Sequence, residues 1–254
     1  WTIFRISFPN AKELIKFSTM NIKDKNIIIT GGSLGIGKET ANHLLKRGAN
    51  VLVTGRSIGR LHDAFKNTNA KLVAFDIGDL DNIHVNAKKC LDLLGGKIDI
   101  LINNAGVGVR RSIEELNVSD FLHVFNINVF GLSLFTKEIV PLMKSQNKGA
   151  IINIGSTASL KGYANGSIYA SSKFAVRCLT QCWQAELRPH NIRVCQINPS
   201  EVTTAFGNSQ RIEREPEHNK LTPNEIAHAI TSALEMEERG FINELNVWAT
   251  NPFN

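Results

Sequence analysis

From residue 25 onward two patterns alternate, and this alternation narrows the fold more than any other feature of the chain. Short Ile/Val/Leu-rich runs occur at 26–30 (NIIIT), 50–55 (NVLVTG), 71–77 (KLVAFDI), 99–106 (DILINNAG), 149–156 (GAIINIGS), 192–199 (IRVCQINP) and 243–250 (NELNVWAT). Between them, apolar residues recur at helical spacing in 37–48 and around 81–94, 118–146, 167–188 and 223–238. Strands that are apolar at nearly every position are buried on both faces, as in a parallel sheet covered by helices. The expectation is an α/β fold, a single doubly wound Rossmann-type domain. Its central parallel β-sheet would have about seven strands, with helices on both faces.

A chain of 254 residues that is 43% hydrophobic can bury one large core of this kind. No Pro/Ser-rich linker or internal repeat divides residues 21–254, which are read as one domain. Residues 1–20 are read as an N-terminal extension of unknown role. They begin with Trp1, and Met20 stands just before the first strand. A cleaved targeting peptide fits this segment less well than an upstream extension, a cloning remnant or a small packing element.

The net charge of +6 is compatible with anionic ligands such as phosphates. The positive residues are spread out rather than blocked, so no nucleic-acid partner is expected. No uninterrupted apolar run reaches the roughly 18 residues of a bilayer span, so no membrane span is expected. Cys90, Cys178, Cys182 and Cys195 form no C-x-x-C pair, and no histidine has metal-ligand spacing. Buried free thiols in a reducing, cytoplasmic setting and no metal are the corresponding expectations.

In a doubly wound sheet the ligand lies beyond the carboxyl ends of the strands. Glycines and polar residues do cluster there: Gly31 to Gly37, Arg56, Asp76, Asn103 to Gly106, Ser156 and Pro199. The stretch TGGSLGIG (30–37) follows a strand and opens a helix. Its glycines allow a tight turn and close approach to a pyrophosphate, which the free N–H groups and positive dipole end of the helix attract. An NAD site usually ends its second strand on a carboxylate that holds the ribose 2′-hydroxyl. Here the second strand ends on Gly55–Arg56. A guanidinium binds a 2′-phosphate in a fork geometry, so NADP(H) is favoured over NAD(H), although Leu34 adds no second positive charge within the glycine loop.

These pieces, with NNAG (103–106), Asn128 in FNINVFG, Ser156 in NIGS, YASSK (169–173) and INPSEVTT (197–204), resemble the short-chain dehydrogenase/reductase family in type and order. The resemblance covers residues 26–254. It is similar in flavour to members of the β-ketoacyl carrier-protein reductase type. It implies a catalytic set of Asn128, Ser156, Tyr169 and Lys173, in which Lys173 also holds the nicotinamide ribose and Asn128 orders a proton-relay water. It implies cofactor contacts from Gly31, Ser33, Leu34, Gly35, Ile36 and Gly37 in the loop. Further contacts would come from Asp76 and Ile77 at the adenine, and from Asn103, Ala105 and Gly106 beneath the cofactor. Pro199, Val202 and Thr204 would flank the nicotinamide, although Ser200 stands where the family usually has glycine.

Physical chemistry supports the central pair. Residues four apart lie on one helix face, about 6 Å along the axis. Lys173 is therefore expected to lower the phenol of Tyr169 from its ordinary value near ~10 towards working pH. Tyr169 then serves as general acid for reduction or base for oxidation, while Ser156 binds the substrate oxygen. The substrate is expected between Val107–Arg110, Ala158–Tyr163 and the polar segment 203–220, which is read as a lid or a plain loop. Arg110 and Arg111 face either an anionic substrate or solvent.

The leading expectation is an NADP(H)-dependent oxidoreductase acting on a small-molecule carbonyl or alcohol, of ketone or 3-oxoacyl type. The alternatives are an NAD-linked alcohol or sugar dehydrogenase, and a dinucleotide-binding sensor without turnover. The intact set at 128, 156, 169 and 173 argues against a sensor. A homodimer or homotetramer built on 118–146 and 167–188 is expected, with Leu132, Phe135, Phe174 and Trp183 as interface or core residues.

Overall fold

The computed structural model describes residues 21–208 and 210–253. The reading of residues 1–20 lies outside them. Seven strands form one parallel sheet: β1 (Asn26–Ile29), β2 (Asn50–Gly55), β3 (Lys71–Ala74), β4 (Ile100–Asn103), β5 (Gly149–Ile154), β6 (Ile192–Pro199) and β7 (Glu244–Val247). Their order is β3-β2-β1-β4-β5-β6-β7. The chain steps outward from β1 to β3 and then returns to the other side of β1. The β1/β4 junction is thus the point where a crevice opens at the strands' carboxyl ends.

Successive residues of each strand face opposite layers. Ile27, Ile29, Val51 and Val53 pack with Ala41, Leu44, Leu61 and Ile230, whereas Ile28, Leu52 and Leu101 pack with Ala87, Phe135 and Ile139. The first layer is α1 (Gly35–Lys46), α2 (Ile58–Phe65) and α7 (Pro223–Leu234). The second contains α3 (Ile83–Leu93), α4 (Val118–Phe125), α5 (Leu132–Gln146) and α6 (Ser167–Leu187). Thr222 caps α7, its side chain accepting from Asn224 N while Glu225 bonds back to Thr222 N, and Pro223 begins the helix.

The structure departs from the sequence expectations in three places. Helix α2 was not anticipated. It is only eight residues long and contains Gly59, but Ser57 caps it and Leu61 and Phe65 bury one face. The stretch 118–146 is not one regular helix, because a π-helical segment, Asn126–Gly131, joins α4 to α5. That combined stretch, Val118–Gln146, is long and apolar enough to cross a membrane by length and composition only. In this fold Phe135, Ile139 and Met143 pack it against the sheet, as in a core helix. Cys90 and Cys195 are buried as expected, but Cys178 and Cys182 are exposed, on the outer side of α6. Leu132 and Phe135 are core residues, while Phe174 is exposed.

Candidate active site

The carboxyl ends of the strands frame a cavity of about 840 Å³. Its floor at the switch point is the turn from β1 into α1. Gly31 and Gly35 both have positive φ, +66° and +55°, which a residue with a Cβ adopts only with strain. Ser33, Leu34 and Ile36 also line the cavity. Gly37 does not. It packs inside, where an added Cβ would stand 2.4 Å from Asn104 Nδ2. Asn104, which the sequence reading passed over, clasps this turn: its Nδ2 donates to Gly31 O at 2.8 Å and Thr30 O at 3.0 Å. The N–H of Gly35, the first residue of α1, donates to the Glu213 carboxylate at 2.7 Å. The helix N-terminus thus already attracts an anionic group.

Arg56 follows β2 and sits 4.0 Å from Asp76. Asp76 also accepts from Gly78 N at 2.9 Å, so it caps its own turn while lining the cavity with Ile77. Arg60 from α2 and Arg211 from the 203–220 segment line the same end of the cavity, and neither was anticipated.

At the other end β5 delivers Ser156 and α6 delivers Tyr169 and Lys173. Ser156 N donates to Asn198 Oδ1 at 3.2 Å, and Ser156 Oγ accepts from Ala158 N at 3.1 Å. Its side chain also lies close enough to the Tyr169 phenol to favour the phenolate. Lys173 is buried, and its Nζ donates to Ile154 O at 2.8 Å. Gly106 forms the opposite wall: a Cβ there would lie 3.4 Å from Asn128 Oδ1 and 3.7 Å from Lys173 Nζ. Four separate segments therefore meet within a few ångströms. Phe206 covers Tyr169, with ring centroids 5.5 Å apart.

Burial is the largest influence on both ionisable groups. It pushes the Tyr169 phenol up to about 12, against the lowering effect of the Ser156 side chain, and the Lys173 ammonium down to about 8. The expected lowering of Tyr169 by Lys173 is thereby corrected. Lys173 Nζ lies 5.8 Å from the ring centroid and is held by a backbone carbonyl, so desolvation of the phenolate outweighs its field.

Asn103 and Asn128 lie behind the cavity rather than on its surface. Asn103 Nδ2 donates to Thr136 Oγ1 and Asn153 Oδ1, both at 2.9 Å, bracing β4 against α5 and β5. This begins a buried chain of side chains through Asn153–Thr180, Thr180–Gln196, Gln196–Asn198 and Asn198–Asn246. Asn128 exchanges hydrogen bonds with the Val107 backbone at 2.9 Å in each direction and donates to Ser172 Oγ at 3.0 Å. Its amide thus fixes the wall beside Gly106.

Ala105, Pro199, Val202 and Thr204 line the cavity. Ser200 fits without positive φ, donating its N–H to Val247 O at 2.8 Å and accepting from Ala249 N at 3.2 Å. The segment after Val202 leaves and returns at one place: Val202 bridges Leu221, and Thr203 N donates to Leu221 O at 2.8 Å. Of the two neighbouring arginines, Arg110 lines the cavity, whereas Arg111 pairs with Asp120 at 2.8 Å. No cluster of His, Cys, Asp and Glu suited to a metal occurs among the described residues.

The family model for short chain dehydrogenases matches residues 25–215. The chain belongs to the short-chain dehydrogenase family. An NADP-dependent 3-hydroxy acid dehydrogenase of Schizosaccharomyces pombe is 31% identical, over 89% of this chain and 93% of that protein. An alcohol dehydrogenase of the archaeon Thermococcus sibiricus, solved with 5-hydroxy-NADP, superposes with TM-score 0.82 at 27% identity, covering 90% of this chain and 97% of that one. A metagenomic short-chain oxidoreductase in complex with NADP gives TM-score 0.77 at 28% identity, over 91% and 99% of the two chains. As a short-chain dehydrogenase the protein is an NAD(P)-dependent oxidoreductase that works between CH–OH and C=O groups. The residues present fit such a dinucleotide: an anion-attracting helix N-terminus at one wall and guanidinium groups at the adjoining end.

Proposed function

We propose that this short-chain dehydrogenase is an NADP(H)-dependent reductase of a ketone or 3-oxoacyl compound, with Tyr169 as general acid and, in reverse, general base. The observation that carries the reading is the convergence of Ser156, Tyr169 and buried Lys173 on the cavity that the glycine turn opens. A bound nicotinamide supplies the hydride. Ser156 Oγ donates to the substrate oxygen as charge grows there, and Tyr169 Oη gives that oxygen its proton. The phenol's high pKa suits a group that stays protonated until an alkoxide forms beside it. Lys173 keeps a positive charge near the developing phenolate and holds the ribose hydroxyls. Asn128 is a positioning residue for the Gly106–Val107 wall.

NADP(H) is favoured because Arg56, not a carboxylate, directly follows β2. Asp76 is nearby, but it follows β3 and is paired with Arg56. The NADP-bound neighbours support the same choice. For the substrate, Phe206, Tyr163 and Trp248 offer apolar surface, and Arg110 and Lys161 offer positive charge for an acidic or carrier-linked tail. The relative named as a 3-hydroxy acid dehydrogenase is consistent with that pairing. Residues 21–254 would act as one catalytic unit. Exposed Leu122, Phe130, Leu134 and Phe174 on the α4–α6 side supply an apolar face for a homodimer or homotetramer. Exposed thiols at Cys178 and Cys182 suit a reducing compartment such as the cytoplasm.

The test is consumption of NADPH with a panel of ketones, aldehydes and 3-oxoacyl thioesters, run beside the Tyr169→Phe variant. Loss of turnover with NADPH binding retained is expected. Unchanged turnover in Tyr169→Phe would remove the mechanism.

A further inference from the structure

The 203–220 segment was anticipated at the substrate end of the site, yet Arg211 and Glu213 within it reach the cofactor end. Arg211 lines the cavity with Arg56 and Arg60, so guanidinium groups from three separate pieces of chain share one region. Like charges gathered in this way repel unless an anion joins them. Burial, then Arg56 and Arg60, lower the Arg211 pKa, which places its charge beside theirs. Arg211 Nε is buried without a hydrogen-bond partner, an unsatisfied donor of a kind that folded proteins seldom keep. Its backbone has φ of +59°, a conformation that a residue with a Cβ holds only when its surroundings fix it. The adjoining turn bonds, Arg211 N to Asn208 O at 3.1 Å and Gln210 N to Asn208 Oδ1 at 2.8 Å, are local and account for no part of the guanidinium.

We infer that Arg211 is a specificity-determining residue for the cofactor, completing with Arg56 and Arg60 a three-guanidinium clamp on a 2′-phosphate. The inference rests on the NADP(H) reading and extends it from the β2 turn to the strap. Glu213, two residues on, shows which way the strap faces. Its carboxylate takes the Gly35 N–H, the donor a pyrophosphate would use, so the strap lies along the same ligand path. Glu213 must give up that bond as a pyrophosphate arrives, while Arg211 gains a partner. A 2′-phosphate would therefore hold the strap by Arg211 in the state in which Glu213 no longer holds it.

The experiment is a set of binding titrations on the full chain with NADPH, NADH, adenosine 2′,5′-bisphosphate and AMP, for wild type, Arg211→Gln and Arg211→Lys. Loss of one charge-assisted hydrogen-bonding group predicts about 10- to 100-fold weaker binding of NADPH and of the bisphosphate in Arg211→Gln. NADH and AMP should change less than about 2-fold, because neither carries the 2′-phosphate on which the clamp acts. Arg211→Lys should fall between, keeping charge without the fork. If wild type prefers NADPH and Arg211→Gln keeps the whole preference, the inference fails and the cofactor reading stands. If all four ligands weaken together, Arg211 is merely structural and the inference fails. If wild type shows no preference for NADPH, the cofactor reading falls and the inference with it.

Discussion

The two ends of the cavity are built differently. At the end proposed to react, Ser156 follows the buried strand β5, and Tyr169 and Lys173 stand on the inner side of α6. Behind them a side-chain chain from Asn103 to Asn246 ties β4, β5, β6 and β7 together, and Asn198 in that chain accepts from Ser156 N. At the adenosine end the groups are exposed or half-buried: Arg56 follows a strand, Arg60 opens a short helix, and Arg211 and Glu213 sit on a strap. On the proposed reading the chemistry would be held by a hydrogen-bonded frame, whereas recognition would be assembled from separable pieces. Proton transfer tolerates little displacement, while a phosphate can be met by long, adjustable guanidinium side chains.

Substitutions should divide along that line. The largest effect belongs to the reacting end. Tyr169→Phe is expected to lower kcat about 10²- to 10⁴-fold with NADPH affinity nearly unchanged. Steady-state kinetics beside a binding titration would check this, and a comparable loss of affinity would blur the division. At the other end Arg56→Ala is expected to weaken NADPH about 10- to 100-fold while kcat at saturation changes little. A fall in kcat there would show that the two ends are coupled.

The frame itself is tested at Asn153, which accepts from Asn103 and donates to Thr180. Asn153→Leu strands both partners in the interior and should cost about 2–4 kcal/mol in chemical denaturation. A cost near zero would mean that the buried chain is not what stiffens this end.

Lys173 provides a pH signature of about 3 kcal/mol. Its pKa falls from 10.5 to about 8 through burial, so between those values the unfolded chain binds a proton that the folded chain does not. Stability should therefore rise with pH across that window, being fully gained above about 10.5 and lost as pH falls through about 8. Denaturation midpoints of wild type against Lys173→Met would reveal it, since the variant should lose this rise. The smallest effect is expected from Glu213→Ala. Removing the carboxylate from Gly35 N should tighten NADPH and NADH equally, about 2- to 5-fold. Unequal tightening would place Glu213 near the 2′-phosphate instead.

Legibility in the sequence followed the same division. The strands could be read because both faces are apolar, and the glycine turn because its spacing serves backbone geometry. Ser156, Tyr169 and Lys173 share one wall as their motifs suggested. Helix α2 was hidden by its brevity and by Gly59, and the π segment by the unbroken apolar periodicity around it. Asn103, Gly37 and Asn128 carried the right motifs, but their side chains or packing face inward, which spacing does not report. Arg60, Arg211 and Glu213 were missed because only the folded chain brings them to the site, and Asn104, inside the NNAG motif, because its clasp on the glycine turn is a long-range contact. Arg211 in particular lies in a polar stretch with no periodicity at all.

The bridge between Val202 and Leu221 changes what kind of object the strap is. Its two ends are fastened to each other, so the entropy of closing the loop is set at that bridge and grows only slowly with the residues between. Length and sequence within the strap can then vary with little disturbance to β6 or α7 on either side. The piece that lines the cavity between β6 and α7 is, in engineering terms, a replaceable cassette on a fixed chassis.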